Sequence, residues 1–343
     1  MNLRFQELDT LRGFAAILVV FFHFTMSRPE ANLGFKVGVT GVDLFFIISG
    51  FVIFMSLNHI QKPIEFVINR FTRLFPTYWV CATFTYLLKI IFFNEAAMSL
   101  KHYLVNLSML QYYFKIDDMD GPYWTMIIEL IFYILMFIVL ITNNLKNIIA
   151  IFSILLFLIF LNDTFLEVNF PSFNIIHEAL PLINHFPLFF SGIIFYKIIN
   201  LKILNTSKSI SFYGLLLCCF IIQLMLFDNG GRSNGFITFK TYIAMLVGYF
   251  AIFILFINYK LKFIVNKISL FLGKISFALY LIHQFIGISL INFLTYRGFN
   301  YWFCFLIAFG LVILLATIIT FVFEIPFSRY LNKKLKLVLI QTK

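Results

Sequence analysis

Residues 7–23 read ELDTLRGFAAILVVFFH and combine a charged beginning with a long apolar run. Arg12 stands near the start of the run and His23 stands at its end, eleven positions later. On a helix this separation is close to three turns, so both side chains share one face, about 16 Å apart. An ionisable side chain inside an apolar span is costly and usually has a function. We therefore expect the rest of the chain to bring further polar groups to this face.

The composition is that of an integral membrane protein. Of the 343 residues, 62% are hydrophobic and 12% are charged, and the mean hydropathy is +0.96. Soluble domains are about half apolar and about a quarter charged. A formal charge of +11 can indicate nucleic-acid binding, but in such an apolar chain it indicates cytoplasmic segments rich in Lys and Arg. We expect the lipid bilayer, and no nucleic acid, as a partner.

Ten apolar runs are long enough, or nearly so, to cross a membrane as helices. They predict an all-α fold, a polytopic membrane helical bundle, because none alternates as the strands of a barrel do. We expect one transmembrane domain over 1–330 and a basic cytoplasmic tail over 331–343. The tail would belong to a basic amphipathic helix on the inner leaflet, starting at residue 325. The predicted spans are 11–26, 38–57, 74–93, 123–142, 147–162, 179–197, 210–227, 238–258, 275–295 and 301–323.

The loop charges predict the orientation of the bundle. With a cytoplasmic N-terminus, seventeen of the 26 Lys and Arg residues fall in inner segments and seven fall in outer segments. Such a bias is typical of the cytoplasmic side, and an even number of spans puts both termini there. The many Phe, Ile, Asn and Lys residues suggest an AT-rich bacterial genome. We therefore expect a multi-pass protein of the bacterial cytoplasmic (inner) membrane.

Two carboxylates recur at the depth expected for His23. Asp43 lies in GVDLFFIISGF near the outer end of the second span, and Glu129 lies in GPYWTMIIELIFY inside the fourth. A neutral imidazole is well suited to taking a proton from an alcohol near pH 7. We predict that His23, Glu129 and Asp43 are catalytic, with an acid orienting or charging the imidazole. The alternatives are a histidine bonded to a neighbouring helix and an acid on a helix dipole.

A pair of arginines lies before the third predicted span. Residues 69–79 read NRFTRLFPTYW and should form an inner loop that leads into a helix with Pro76 in its first turn. The three-residue spacing puts Arg70 and Arg73 on one helical face. Paired guanidinium groups hold phosphate oxygens bidentately, which would suit a phosphorylated donor from the cytosol. Ordinary anchoring by positive residues on the inner side is the alternative.

Polar side chains also recur in the ninth span, and an indole marks the outer interface. Ser276, Tyr280 and His283 in SFALYLIH are four and three positions apart on one face. They predict either a polar lining for a channel or hydrogen bonds between helices. Trp124 falls at the outer interface, where indole rings are favoured. No His or carboxylate spacing resembles a metal site, so no metal is expected.

Together these segments resemble the acyltransferase-3 family of membrane O-acyltransferases. The matching pieces are ELDTLRGFAAILVVFFH, GVTGVDLFFIISGFVI, NRFTRLFPTYW, GPYWTMIIELIFY and SFALYLIH, in the family's order. The family's Arg-x10-His motif falls on Arg12 and His23, and its Arg-x-x-Arg motif falls on Arg70 and Arg73. Its Trp-Ser-Leu-x-x-Glu-like segment falls on residues 124–129, with Thr in place of Ser. The chain resembles the stand-alone members, which have no fused extracytoplasmic hydrolase domain.

The resemblance implies an enzyme that moves an acyl group, usually acetyl from acetyl-CoA, across the membrane onto a hydroxyl. Its acceptor would be an extracytoplasmic sugar or a surface polysaccharide. The donor would dock on Arg70 and Arg73, with Arg12 steadying it or pairing with an acid. His23 would act as general base or as acyl carrier, and a succinyl donor stays open. The residues expected to bind substrate are Trp124, Tyr280 and His283.

A proton-coupled exporter of a glycan or a small metabolite is the competing interpretation. Intramembrane Arg, His and Glu side chains also form proton relays in transporters. Transporters often have duplicated halves and broken helices, and no duplication is visible in this sequence. A passive scaffold would explain the spans but not the polar motifs. The sequence therefore favours an O-acyltransferase.

Overall fold

A computed structural model describes residues 5–58, 60–93, 99–201, 206–228 and 232–340. Within these ranges the chain is helical and has no strand. Short 3-10 turns and two π-helical segments, Asn162–Leu166 and Ile319–Glu324, join several of the helices. The α-helices are α1 Gln6–Thr25, α2 Gly41–Leu57, α3 Pro63–Phe93, α4 Leu100–Leu107, α5 Trp124–Ile141, α6 Ile148–Leu161, α7 Glu167–Asn169, α8 Ile175–Ala179, α9 Phe186–Leu201, α10 Thr206–Met225, α11 Phe239–Ile257, α12 Lys267–Tyr296, α13 Tyr301–Ile318 and α14 Ile325–Ile340.

The predicted membrane bundle is confirmed. In the described part of the chain, nine helical segments are long and apolar enough to cross a membrane. The remaining predicted span, 210–227, corresponds to α10, whose apolar part Ile210–Met225 is shorter. Helices suit this environment because they satisfy their backbone hydrogen bonds internally. The cytoplasmic placement of both termini and the division after residue 330 stay predictions, and residues 341–343 lie outside the described ranges.

The predicted inner loop before the third span is wrong. Helix α3 begins at Pro63 and continues through Pro76, so Arg70 and Arg73 lie on the helix itself. A proline removes one backbone donor and disturbs the preceding turn of a helix. Helix α14 packs against that turn, because Asn332 donates to Asn69 Oδ1 over 2.9 Å and to Thr72 Oγ1 over 3.0 Å. Tertiary packing therefore supports the helix where local sequence predicts a break.

Glycines allow the helices that carry the polar motifs to approach closely. A Cβ atom added to Gly50 of α2 would overlap the backbone of Phe189 in α9, and one added to Gly192 of α9 would overlap the backbone of α2. A Cβ at Gly273 of α12 would overlap the backbone of Asp9 in α1. Small residues at such contacts are typical of membrane helix pairs. These contacts set the spacing of α2 against α9 and of α1 against α12.

We expect Gly192→Ala to lower the melting temperature of the purified protein in detergent. The added methyl group can be accommodated only if α2 and α9 separate, and overpacking costs about 1–3 kcal/mol. Gly248→Ala in α11 and Gly310→Ala in α13 are matched controls, because a Cβ at either site meets nothing within 4 Å. Both controls should melt at the wild-type temperature or above it. A Gly192→Ala protein that melts with the controls would contradict the close α2–α9 contact.

Candidate active site

A cavity of about 320 Å³ lies between α1, α2, α3, α5 and α12, and we call it the inner cavity. Its lining includes Arg12, Arg70, Arg73 and Glu129, so the fold brings these predicted site residues together from three helices. Along α2 the lining extends over 42–53, which is about 16 Å of helix axis. The cavity is therefore elongated along the bundle. In the predicted orientation, Arg70 and Arg73 lie toward its cytoplasmic end.

The arginines of the inner cavity differ in their partners. Arg73 forms an ion pair with the buried carboxylate of Glu324 in the second π-helical segment. Arg70 lies over the rings of Phe66 and Tyr133, with its guanidinium carbon 5.8 Å from each ring centre. In the described part of the chain, neither Arg12 nor Arg70 forms an ion pair, and Arg70 Nε has no hydrogen-bond partner. The inner cavity therefore offers two guanidinium groups outside any ion pair, in the same lining as the carboxylate of Glu129.

Glu129 lies in the inner cavity and is held by two hydroxyl groups. Ser49 Oγ donates to Glu129 Oε1 over 3.5 Å, and the Tyr133 hydroxyl donates to the same oxygen from one turn further along α5. The sequence predicted that an acid would contact His23, but Glu129 faces the arginine-lined cavity instead. The catalytic role of Glu129 stays a prediction.

His23 contacts a second imidazole, that of His283 on α12. Nδ1 of His23 lies 2.9 Å from Nε2 of His283 and 3.0 Å from the carbonyl oxygen of Val19. Nδ1 of His283 lies 3.1 Å and 2.9 Å from the carbonyl oxygens of Leu279 and Tyr280, so this nitrogen carries the proton. Nε2 of His283 is then an acceptor, and His23 Nδ1 donates to it. In the neutral pair, the lone pair of His23 therefore lies on Nε2, as a general base requires.

Tyr280 connects the histidine pair with the inner cavity. Its side chain lines the cavity, and its hydroxyl lies 3.0 Å from Thr125 Oγ1 on α5. His283 follows one helical turn later, with its ring centre 6.0 Å from that of Tyr280. Ser276 and Tyr280 line the cavity, as their shared helix face predicted. His283 is fully buried and contacts His23 instead.

Asp43 has other neighbours. Its carboxyl group is buried, interacts with Tyr242 of α11, and does not line the inner cavity. The position predicted for an acid beside His23 is occupied by His283 in the described contacts. The physical reason is helix packing. Helix α1 packs along α12 over most of its length, so His23 contacts a residue of α12 and not Asp43 of α2.

A second cavity, of about 650 Å³, lies between the 112–118 loop, the start of α5 and the segment before α9. We call it the outer cavity. Trp124 lines it together with His185, and the two ring centres are 5.6 Å apart. The His185 ring lies 4.9 Å from that of Phe46, which lines the inner cavity. A layer of aromatic rings therefore separates the two cavities.

Asp120 ties the outer loop to α12. Its Oδ1 accepts hydrogen bonds from the backbone N–H groups of Gly121 over 2.8 Å and Phe285 over 3.1 Å. Burial raises the pKa of the Asp120 carboxyl to about 7, although these hydrogen bonds and the charge of Lys89 oppose the rise. Nothing in the sequence separates Asp120 from the other outer acids, so only the fold identifies it.

One cluster of possible metal ligands exists in the described part of the chain. The ligand atoms of Asp163, Glu167 and His177 all lie within 4.8 Å of one another, and His177 Nε2 is 3.5 Å from Glu167 Oε2. The sequence did not predict this cluster, because His177 reaches the two acids only through the turn between α7 and α8. The absence of a metal stays a prediction.

Sequence reasoning also missed several residues around the inner cavity. Tyr133 is four positions after Glu129, so helical spacing alone could have placed both on one face. Glu324 and His185 carry no such signal, because their contacts with Arg73 and Trp124 join distant parts of the chain.

Comparisons with known proteins identify the family of the chain. A family model described as an acyltransferase domain matches residues 5–322. A protein named as an acetyltransferase, ORF330 of Acidianus two-tailed virus, is 23% identical over 278 residues, which is 80% of each chain. The exopolysaccharide production protein ExoZ of Rhizobium meliloti (strain 1021) is 43% identical over 47 residues, 13% of this chain and 15% of ExoZ. No solved structure matches the chain.

A further relative is named as a membrane-bound transacylase, BcsY of Komagataeibacter xylinus. It is 39% identical over 75 residues, which is 21% of this chain and 17% of BcsY. The family model extends from α1 into the second π-helical segment, so it includes both cavities and the histidine pair. The chain therefore belongs to the acyltransferase-3 family and is a multi-pass membrane acyltransferase.

Proposed function

We propose that this protein moves an acetyl group from cytosolic acetyl-CoA to a hydroxyl of an extracytoplasmic sugar or surface polysaccharide, in the bacterial cytoplasmic membrane. The observation that supports this best is an elongated, arginine-lined cavity whose lining includes Tyr280, one helical turn before His283 of the imidazole pair. Two short matches favour the same chemistry, because one relative is named for exopolysaccharide production and the other for transacylation.

The donor enters from the cytoplasmic end of the inner cavity. The phosphates of acetyl-CoA bind Arg70, whose Nε needs a hydrogen-bond acceptor, and they are attracted by Arg12. Arg73 is already paired with Glu324. It therefore lines the cavity, but its charge is largely neutralised. The slender pantetheine arm then occupies the elongated cavity, and the thioester lies toward Tyr280.

The chemistry is the attack of an alcohol on a thioester. Nε2 of His23 takes the proton of the acceptor hydroxyl while its oxygen bonds to the acetyl carbon. The C–S bond then breaks, and the thiolate of CoA takes the proton from His23, so the products are an O-acetyl ester and free CoA. The same groups allow a relay in which His23 is acetylated first and the hydroxyl attacks second. Trapping of an acetyl-histidine would distinguish the two routes.

His283 and the two hydroxyl groups act as positioning residues. By accepting the Nδ1–H of His23, His283 directs the lone pair to Nε2 and holds the ring, as the third member of other catalytic triads does. When Thr125 donates to the Tyr280 oxygen, the Tyr280 hydroxyl can donate to the oxygen of the expected thioester. Glu129 lines the cavity that the donor occupies. Asp43 has no role in the proposed reaction.

The test is acetyl transfer by the purified protein in detergent. Radiolabelled acetyl-CoA is supplied with a panel of sugars and extracted surface polysaccharides, and no membrane gradient is present. We expect label on a sugar hydroxyl as an ester that mild alkali releases. A proton-coupled exporter would transfer no label under these conditions. Donor binding without transfer to any hydroxyl would contradict the proposal.

A further inference from the structure

The outer cavity has an acidic lining. The carboxylates of Asp117, Asp118 and Glu178 line it, and the described lining contains one Lys or Arg residue, Lys115. A concave surface with an excess of one charge attracts oppositely charged ligands, repels ligands of the same charge and has little electrostatic effect on neutral ones. The outer cavity is therefore unsuited to an anion, in contrast to the inner cavity.

The walls of the outer cavity are held together by specific hydrogen bonds. The Tyr112 hydroxyl donates to the carbonyl oxygen of Glu178 over 2.7 Å, and the Tyr113 hydroxyl donates to that of Ala179 over 2.9 Å. Gln111 Nε2 donates to Asp118 Oδ1 over 2.8 Å. The 112–118 loop is thus joined to the segment that precedes α9. A cavity built in this way is preformed, as ligand sites usually are.

The floor of the outer cavity combines aromatic rings with an unsatisfied polar atom. Trp124 offers the edge and face of an indole, next to the imidazole of His185. His185 is 4% exposed, and its Nδ1 has no hydrogen-bond partner among the described residues. A buried polar atom without a partner is uncommon in native structures, and a ligand hydroxyl would supply one. Aromatic rings beside carboxylates suit a pyranose, which has apolar faces and a rim of hydroxyls.

The outer cavity adjoins the inner cavity at the start of α5. Trp124 lines the outer cavity, whereas the next residue, Thr125, lines the inner cavity and bonds Tyr280. The rings of His185 and Phe46 form the layer between the two spaces. A sugar on Trp124 therefore approaches the reaction from the side opposite to the donor.

We propose that the outer cavity is the acceptor-binding site and that it selects neutral sugars over sugars carrying a carboxylate or a phosphate. Trp124 stacks on a face of the sugar ring, and Asp117 and Glu178 accept hydrogen bonds from its hydroxyls. His185 binds the hydroxyl that lies deepest in the cavity. This proposal rests on the proposed function, because it assigns the second substrate of that reaction.

The experiment compares methyl glucoside, which is neutral, with methyl glucuronide, which carries a carboxylate on the same ring. Acetyl transfer to each is measured for the wild type, for Asp117→Asn with Glu178→Gln, and for Asp228→Asn. Asp228 is an exposed outer acid that does not line the cavity, so its variant is the matched control. The double variant should raise the KM for the glucoside about tenfold or more, because it weakens hydrogen bonds to charged acceptors. The preference for glucoside over glucuronide should fall about tenfold, and kcat and the KM for acetyl-CoA should stay unchanged.

The outcomes separate this proposal from the function on which it rests. If the wild type transfers acetyl groups to the glucoside but the double variant keeps both its KM and its preference, the outer cavity does not bind the acceptor. A wild type that prefers the glucuronide would overturn the proposed selectivity. Failure of the wild type to acetylate any sugar would overturn the proposed function instead. Unchanged binding of CoA by the double variant shows that it is folded.

Discussion

Replacing His23 by glutamine is expected to lower acetyl transfer by about 10²- to 10⁴-fold, the usual contribution of a general base. Glutamine has a similar size and is uncharged, so the packing of α1 against α12 should be disturbed little. It has no basic nitrogen to take the proton of an alcohol. Transfer is measured with labelled acetyl-CoA and a saturating sugar, and the affinity for CoA should stay at the wild-type value.

The control for this variant is His102→Gln. His102 Nε2 lies 2.8 Å from the carbonyl oxygen of Asp117, and a glutamine amide can make the same bond. The control should therefore keep its activity. His283→Gln should lie between the two, with a changed pH dependence of kcat, because His23 keeps its basic nitrogen but loses the group that orients it. If the His23→Gln variant transfers acetyl groups at a rate within a few-fold of the control, His23 does not take part in the reaction.

Replacing Arg70 by methionine is expected to weaken the binding of acetyl-CoA by about 10- to 100-fold. Methionine keeps an unbranched apolar stem against Phe66 and Tyr133. The loss of affinity therefore measures the contribution of the guanidinium group. The effect should shrink as the salt concentration rises, since salt screens the attraction between guanidinium and phosphate. Titration of the purified protein with acetyl-CoA at two ionic strengths measures both quantities.

The matched control for Arg70 is Arg329→Met, an exposed arginine of α14 that does not line the inner cavity. A second control uses acetylpantetheine, which carries the thioester but no phosphate. With this donor, wild type and Arg70→Met should have the same rate. A difference that persists without phosphates would place Arg70 outside the phosphate site.

Arg73 is a poor residue for the same test. Its loss would leave the buried carboxylate of Glu324 without its partner, which is destabilising. A variant of Arg73 could thus lose donor binding because it unfolds. The structure therefore separates two arginines that the Arg-x-x-Arg spacing treats as equivalent.

Helical periodicity grouped some of the residues that line the inner cavity. Ser276 and Tyr280 share a face and do line one cavity, and Arg12, Arg70 and Glu129 meet there from three helices. Sequence reasoning did not identify His283 as the contact of His23. It used the depth of each residue in the membrane, which fixes the position along the membrane normal but not the neighbouring helix. Asp43 and Glu129 were placed at a suitable depth, but the rotation and neighbours of their helices direct them to Tyr242 and to the inner cavity.

The sequence by itself determined the membrane bundle, its family and the polar residues worth testing. These follow from local properties, since hydropathy is read along a single segment and motif spacing along a single helix. Only the tertiary structure decided which helices are neighbours, and hence that His283 contacts His23, that Glu324 pairs with Arg73 and that an acidic outer cavity lies next to the inner cavity. Such contacts depend on close approach between distant segments. Glycines at the helix contacts permit this approach, and no local sequence pattern reveals which segments will meet.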